Sequence, residues 1–226
     1  MGRTTTRDKR YTVMLVDDHP IVRHGLSLLI NQEADLELCA EANTAVETLE
    51  YLKSVMPDII LVDISLQGSS GIELTRAIRE SYPDLPVLIL SMHDETLYAE
   101  RALRAGARGY VMKQESAETV LHAVRRVLAG EIYLSDKLAS RLLRDVMNGQ
   151  RNEPDRFGLD MLSDRELEIF EFIGRGLSTR KIAARLSLSV KTVETHRAHI
   201  KQKLNLANSA ELVHRAFHWV EASGKK

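Results

Sequence analysis

The chain has little sulfur chemistry to offer. Its single cysteine, Cys39, can close no internal disulfide and build no cysteine-based metal site, which fits a reducing, cytoplasmic setting. Placed mid-strand, Cys39 reads as an inert small hydrophobe. No run approaches the ~18 consecutive apolar residues of a membrane span. The opening MGRTTTRDKR carries charge with no apolar core behind it, so it reads as neither signal peptide nor anchor, and its polarity predicts disorder. Internal repeats and low-complexity tracts are absent. There is no overall excess of one charge either, with 31 Lys and Arg against 32 Asp and Glu. At 44% hydrophobic and 28% charged residues, the composition is too apolar for a disordered chain. For 226 residues, ~150 per domain favours two domains.

The balanced charge hides an asymmetry. Residues 1–154 carry a net −5 and residues 155–226 a net +4. Within Arg175–Lys203, eight basic residues face one acidic residue, Glu194. An acidic front half and a dense basic cluster behind it point to two tasks, the second involving a polyanion.

Apolar runs and helix-period runs alternate through the front half. Strands are predicted at Tyr11–Val16, Leu36–Ala42, Ile59–Val62, Val87–Leu90 and Gly109–Met112. Helices are predicted at Pro20–Asn31, Ala45–Ser54, Gly71–Ser81, Glu95–Ala105 and Ala117–Ala129. Five such units imply a doubly wound five-stranded parallel sheet, flavodoxin-like in its 2-1-3-4-5 order, with helices on both faces. No further strand is expected after Gly130. Ser135–Met147 reads as one amphipathic helix, and Asn148–Asp160 as a polar, flexible linker. Four short helices then form a small all-α domain. Ser163 with Glu166 opens the first as a capping box; Ser178–Leu186 and Ser189–Leu204 follow across a tight break; Asn208 with Glu211 opens the last. A short helix, a tight turn and a longer basic helix make a helix-turn-helix.

The residues that carry chemistry fall at strand ends. Asp17 and Asp18 end the first strand, Asp63 the third, Ser91 the fourth and Lys113 the fifth. In a doubly wound sheet these positions line one crevice. Three converging carboxylates repel one another unless a hard dication sits among them, and Mg²⁺ suits oxygen ligands of this kind. Lys113 and a hydroxyl then supply what a phosphoryl group on the third carboxylate needs. The plainer account makes each Asp a helix cap and Lys113 a surface charge, and it has to hold for five residues at strand ends at once.

VDDHPIVRHGL, the strand-ending Asp63, LILSMHD and GARGYVMK together resemble the receiver domain of bacterial response regulators. The resemblance implies that Asp63 accepts a phosphoryl group from a partner histidine kinase. It implies that Asp17, Asp18, Asp63 and the Ser65 carbonyl hold Mg²⁺, and that Ser91 and Lys113 bind the phosphoryl oxygens. Tyr110 would be the switch aromatic, turning inward on phosphorylation. Two departures stand out. Leu66-Gln67 replace the frequent Met-Pro, and Gln114 follows Lys113 where the family has proline, so no cis peptide is implied there. Ser65 and His93, each two residues past a site residue, are candidates for tuning phosphoaspartate hydrolysis.

On the basic helix, Val193, Ile200 and Leu204 form an inward stripe at 100° per residue. Lys191, Glu194, Thr195, Ala198, Lys201 and Gln202 lie opposite, a face suited to a major groove, with Glu194 able to accept from cytosine N4. Thr192 and Arg197 at the margins, and Lys181 on the preceding helix, suit phosphates. The segment LSDRELEIFEFIGRGLSTRKIAARLSLSVKTVETHRAHIKQKLNL closely resembles the LuxR-type helix-turn-helix, with Lys181 standing where glutamate is common. The whole chain is thus similar to NarL/FixJ-type response regulators. Residues 11–130 would be the receiver, 131–160 a linker with one helix, and 161–226 the DNA-binding domain. The resemblance implies double-stranded DNA as partner and a homodimer when phosphorylated or DNA-bound, and it admits RNA polymerase as a further contact. His196 with His199, and His214 with His218, have metal-ligand spacing but no third ligand in the sequence. Trp219, Phe217, Leu212 and Val220 are expected in a core or dimer surface.

Two other functions are compatible with parts of this pattern. An aspartate-nucleophile phosphatase uses Asp, Lys, a hydroxyl and Mg²⁺ on a similar sheet, but with Asp-x-Asp on its first strand; here that strand ends Asp-Asp-His. A regulator that binds DNA independently of phosphate is the other. The leading expectation is a non-enzymatic, phosphorylation-controlled transcription regulator.

Overall fold

The structure, a computed structural model, describes residues 10–93, 95–147 and 158–224. Most of the polar lead and of the predicted linker lies outside these residues. The chain divides into two compact units, Met1–Ser140 and Arg141–Lys226.

The first unit is a parallel sheet of β1 (Tyr11–Val16), β2 (Leu36–Ala42), β3 (Ile59–Asp63), β4 (Val87–Ser91) and β5 (Gly109–Met112), in the order β2-β1-β3-β4-β5. The helices between and after them are α1 (Pro20–Gln32), α2 (Ala45–Tyr51), α3 (Gly71–Ser81), α4 (Glu95–Ala105) and α5 (Ala117–Leu128). Val13–Val16 and Ile59–Val62 are buried on both faces, which is why these central strands are unbroken apolar runs. Alternation sorts them. Val13, Leu15, Leu61 and Leu88 pack with Ile30 of α1 and Val120, Val124 and Val127 of α5, while Met14, Val16, Ile60 and Val62 point to the opposite face. There α2, α3 and α4 pack in sequence. Each such side chain contributes about 1.5–3 kcal/mol by leaving water. The chain runs from β1 out to β2 and returns past β1 to β3, so β1 and β3 flank the point where the winding reverses.

Three local features differ from the sequence reading. Helix α2 stops at Tyr51, and Lys53 and Ser54 close tighter turns onto Glu50 O and Tyr51 O instead. Two-residue strands, Ser65–Leu66 and Ser69–Ser70, form a hairpin directly after Asp63. Past Gly130 the chain stays on the sheet: Tyr133 bridges Gly109, its N–H donates to Arg108 O (2.9 Å), and its carbonyl accepts from Tyr110 N–H (3.1 Å). Helix α6 (Asp136–Met147) follows.

The second unit has a 3-10 turn at Leu159–Met161, inside the predicted linker, then α7 (Asp164–Gly174), α8 (Thr179–Arg185), α9 (Val190–Lys203) and α10 (Ser209–Gly224). Both halves of the Ser163–Glu166 capping box form. Ser178 and Ser189 cap α8 and α9 by accepting from Lys181 N–H and Thr192 N–H. Ile182, Val193, Ile200, Leu212 and Trp219 are buried in its core, with Trp219 against Phe170. Phe217 is exposed. Gly174 is required where α7 meets α10, since a Cβ there would lie 2.4 Å from Ala216 O. No helix among the described residues is long and apolar enough to cross a membrane.

Candidate functional site

At the C-terminal edge of the sheet, β1 delivers Asp17 and Asp18, β3 delivers Asp63, and β5 delivers Lys113. The Lys113 ammonium lies 2.6 Å from Asp17 Oδ2 and 2.7 Å from Asp63 Oδ2, bridging the two carboxylates. Asp17 is 1% and Asp63 4% exposed. The other Asp17 oxygen accepts from His19 N–H (2.8 Å), and Arg23 donates to the Asp17 carbonyl (2.6 Å). Burial pushes the Asp63 carboxyl up to about 6; Asp17 and Asp18 add to the rise and Lys113 opposes it. Asp18 is likewise raised, by burial first. Its Oδ1 sits 2.7 Å from His19 Nδ1, yet the approach is not aligned as a hydrogen bond and the oxygen is otherwise buried.

A buried carboxylate oxygen without a hydrogen bond, beside two further carboxylates, fits a hard dication. Asp17, Asp18, His19 and Asp63 each present a ligand atom within 4.8 Å of the others. The donor set is mostly oxygen, as Mg²⁺ prefers.

Ser91 and Lys113 are brought together by the backbone: Lys113 N–H donates to Ser91 O (2.8 Å). The buried Ser91 hydroxyl accepts from His93 N–H (2.9 Å). His93 is itself buried, and its Nε2 lies 2.9 Å from Ser65 Oγ. Tyr110, 1% exposed, already points inward and donates its hydroxyl to His93 O (2.9 Å). One residue, His93, therefore touches Ser65, Ser91 and Tyr110. No cis peptide occurs among the described residues.

Three supporting residues were missed in the sequence. His19 and Arg23 hold Asp17 and Asp18, and the signal was their place in the same VDDHPIVR segment. Gly71 is the third: a Cβ there would lie 1.9 Å from Asp63 O, and its N–H donates to Ile64 O (2.7 Å). Only the hairpin after Asp63, which folds Gly71 back onto the strand end, reveals that need.

In the second unit, Val193, Ile200 and Leu204 turn inward as expected. Lys181, Lys191, Glu194, Thr195, Ala198 and Gln202 are exposed, and Thr192, Arg197 and Lys201 half-buried. Glu194 has work within the unit: its Oε1 accepts from Thr179 Oγ1 (2.9 Å) and its Oε2 faces Arg197 Nε at 3.5 Å. Thr195 Oγ1 donates to Lys191 O (3.0 Å). The basic cluster is also less available than its count suggests. Lys203 pairs with Glu166 (2.6 Å), Arg175 with Glu171 (2.5 Å), and Arg185 stacks 5.1 Å from the Phe172 ring centre.

Sheet, pocket and helical unit define a class: an α/β signal-receiving unit joined to a DNA-reading helix-turn-helix. Comparison with known proteins agrees. Residues 13–125 match the response regulator receiver domain, and residues 160–216 match the bacterial regulatory proteins of the luxR family. The oxygen regulatory protein NreC of Staphylococcus carnosus (strain TM300) is 39% identical over 204 residues, covering 89% of this chain and 94% of that protein. A two-component response regulator of the LuxR family from Aurantimonas sp. SI85-9A1 is 36% identical, with a TM-score of 0.58 over 62% of this chain and 99% of the other. RcsB from Salmonella enterica serovar Typhimurium, solved bound to promoter rprA, shares the fold at 24% identity, with a TM-score of 0.58 over 92% of this chain and 98% of the other. The chain belongs to the two-component response regulators that join a receiver domain to a LuxR-type DNA-binding domain. These are DNA-binding transcription regulators.

Proposed function

We propose that Asp63 is the phosphoacceptor and that its phosphorylation controls sequence-specific DNA binding by α9. The observation that carries this reading is the single ammonium of Lys113 shared between Asp17 and Asp63. An Asp63 oxygen attacks the phosphorus of a phosphohistidine on the partner kinase. The P–N bond breaks, its electron pair stays on the imidazole nitrogen, and a carboxyl phosphate forms. Lys113, by favouring the charged form of Asp63, keeps the nucleophile available against the effect of burial. Ser91 O–H and Lys113 N–H then donate to phosphoryl oxygens. Mg²⁺, held by Asp17, Asp18, Asp63 and the Ser65 carbonyl, would neutralise charge on the transferring group. Drawing the Ser91 hydroxyl toward that group pulls on His93, and Tyr110 is tied to the same residue, so the face around β4, α4 and β5 responds.

On the output side, Lys191, Thr195, Ala198, Lys201 and Gln202 are the base-facing set, and Lys181, Thr192 and Arg197 meet phosphates. Glu194 belongs to the base-facing set while also holding Arg197. The partners are a histidine kinase, double-stranded DNA, a second copy of the chain when phosphorylated or DNA-bound, and RNA polymerase. The setting is cytoplasmic, away from membranes.

A small-molecule phosphodonor with Mg²⁺ should add one phosphoryl group per chain, and Asp63→Asn should abolish it. Full labelling of that variant overturns the assignment. Phosphorylation should strengthen operator binding by ~5–150-fold, the range of a coupling of ~1–3 kcal/mol. Equal affinity with and without the phosphoryl group would favour the phosphate-independent regulator, and steady hydrolysis of phosphomonoesters the phosphatase.

A further inference from the structure

The two histidines of α9 gain from the fold a third donor that their sequence spacing lacks. Glu166, in the first turn of α7, is carried across to them, and Glu166, His196 and His199 each offer a ligand atom, all within 4.8 Å of one another. The glutamate is held in place from one side. Its Oε2 accepts from Ser163 N–H (2.8 Å) and from Lys203 Nζ (2.6 Å), while Oε1 faces His199 Nδ1 at 3.8 Å. The carboxylate is thus oriented before any ligand arrives, as supporting hydrogen bonds orient metal ligands elsewhere.

We propose that Glu166, His196 and His199 form a binding site for a divalent transition metal of the Zn²⁺ type, separate from the acidic pocket of the receiver. Two imidazoles and a carboxylate, with positions left for water, are the donor set of a three-ligand zinc site. A hard cation such as Mg²⁺ selects the oxygen-rich receiver pocket instead. Metal–ligand bonds of ~2.0–2.1 Å in tetrahedral geometry bring ligand atoms to about 3.3 Å apart. The three groups must therefore draw together, and His199, whose side chain is 54% exposed, can swing in without opening the core. Lys203 acts in both directions: it orients Glu166, and its charge opposes a dication, so the site is weaker than a closed structural zinc centre. Because the imidazoles must be neutral to bind, affinity falls with acidification. A bound ion would pin the start of α7 to the middle of α9, leaving Thr195, Ala198 and Gln202 exposed.

The test is calorimetric titration of the full chain with Zn²⁺, in a large excess of Mg²⁺ that occupies the receiver pocket. One Zn²⁺ per chain is expected. His199→Ala should lower its affinity by ~10-fold or more, while its metal-free melting curve stays that of the parent. The double variant His214→Ala/His218→Ala, which removes the other imidazole pair (Nε2 atoms 3.0 Å apart on α10), should leave Zn²⁺ binding unchanged. Absence of Zn²⁺ binding, unaltered affinity in His199→Ala, or loss of binding in the α10 double variant each overturns the proposal.

Discussion

Removing the charge of Asp63 should stabilise the receiver while destroying its chemistry. Asn keeps the shape of Asp and loses only the ionisation. In the folded chain burial pushes the Asp63 carboxyl from its ordinary 3.8 up to about 6. Between those values the folded chain still holds a proton that the unfolded chain has released. Stability therefore falls as pH rises through that window, and the loss is complete above it. A shift of about two units at ~1.36 kcal/mol each sets an upper figure of ~3 kcal/mol. That figure is already net of the attraction of Lys113, which opposes the rise and which the neutral amide of the variant forfeits. At pH 7.5 without divalent cations, Asp63→Asn should be more stable than the parent by roughly 1–3 kcal/mol, and the difference should shrink toward zero near pH 4. Urea unfolding followed by far-UV circular dichroism measures it. The lone tryptophan, Trp219, lies in the second unit and its fluorescence is an internal control that should not shift. Mg²⁺ should narrow the gap by stabilising the parent more than the variant. Equal stabilities at pH 7.5, or a gain that persists undiminished at pH 4, would refute the reasoning.

Other outcomes follow from single contacts. Gly71→Ala places a methyl group 1.9 Å from Asp63 O, so the strand end must move; a loss of ~2–4 kcal/mol is expected, with slower phosphoryl uptake even where the chain still folds. Ser163→Ala removes one half of the capping box and should cost about 1 kcal/mol, read from Trp219 fluorescence during urea unfolding. Arg197→Ala should weaken binding to all DNA sequences alike and flatten the dependence of log K on log salt. Thr195→Ala should change preference among operators by at most ~1–3 kcal/mol. The reverse pattern in competition binding would show that the orientation assigned to α9 is wrong.

The acidic pocket was legible because its geometry is local to strand ends. An apolar run closed by a carboxylate places that carboxylate at the sheet edge, and the 2-1-3-4-5 winding does the rest. Asp17, Asp18, Asp63, Ser91 and Lys113 could thus be gathered into one crevice from spacing alone. The capping serine of α7 was legible for the same reason, since a cap acts within three residues, and the starts of α8 and α9 were placed at Ser178 and Ser189, which the structure shows to be their caps. The limits of α2 and the hairpin at Ser65–Ser70 were not. A helix end and a two-residue pairing are set by where the chain must go next, and no periodicity marks them.

Burial and partnership belong to the tertiary structure. Counted in the sequence, the basic residues of Arg175–Lys203 point together to a polyanion, but Lys203 is held by Glu166 and Arg175 by Glu171. The same packing carries Glu166 to His196 and His199, which lie on another helix. It buries His93 between Ser65, Ser91 and Tyr110, where sequence spacing left it as readily exposed as buried. Residue type and period determine which face of an element turns inward, because burying apolar surface is a local choice repeated along the chain. Which charge meets which, and how far a carboxyl departs from its ordinary acidity, depends on distances between elements that only the packed fold sets.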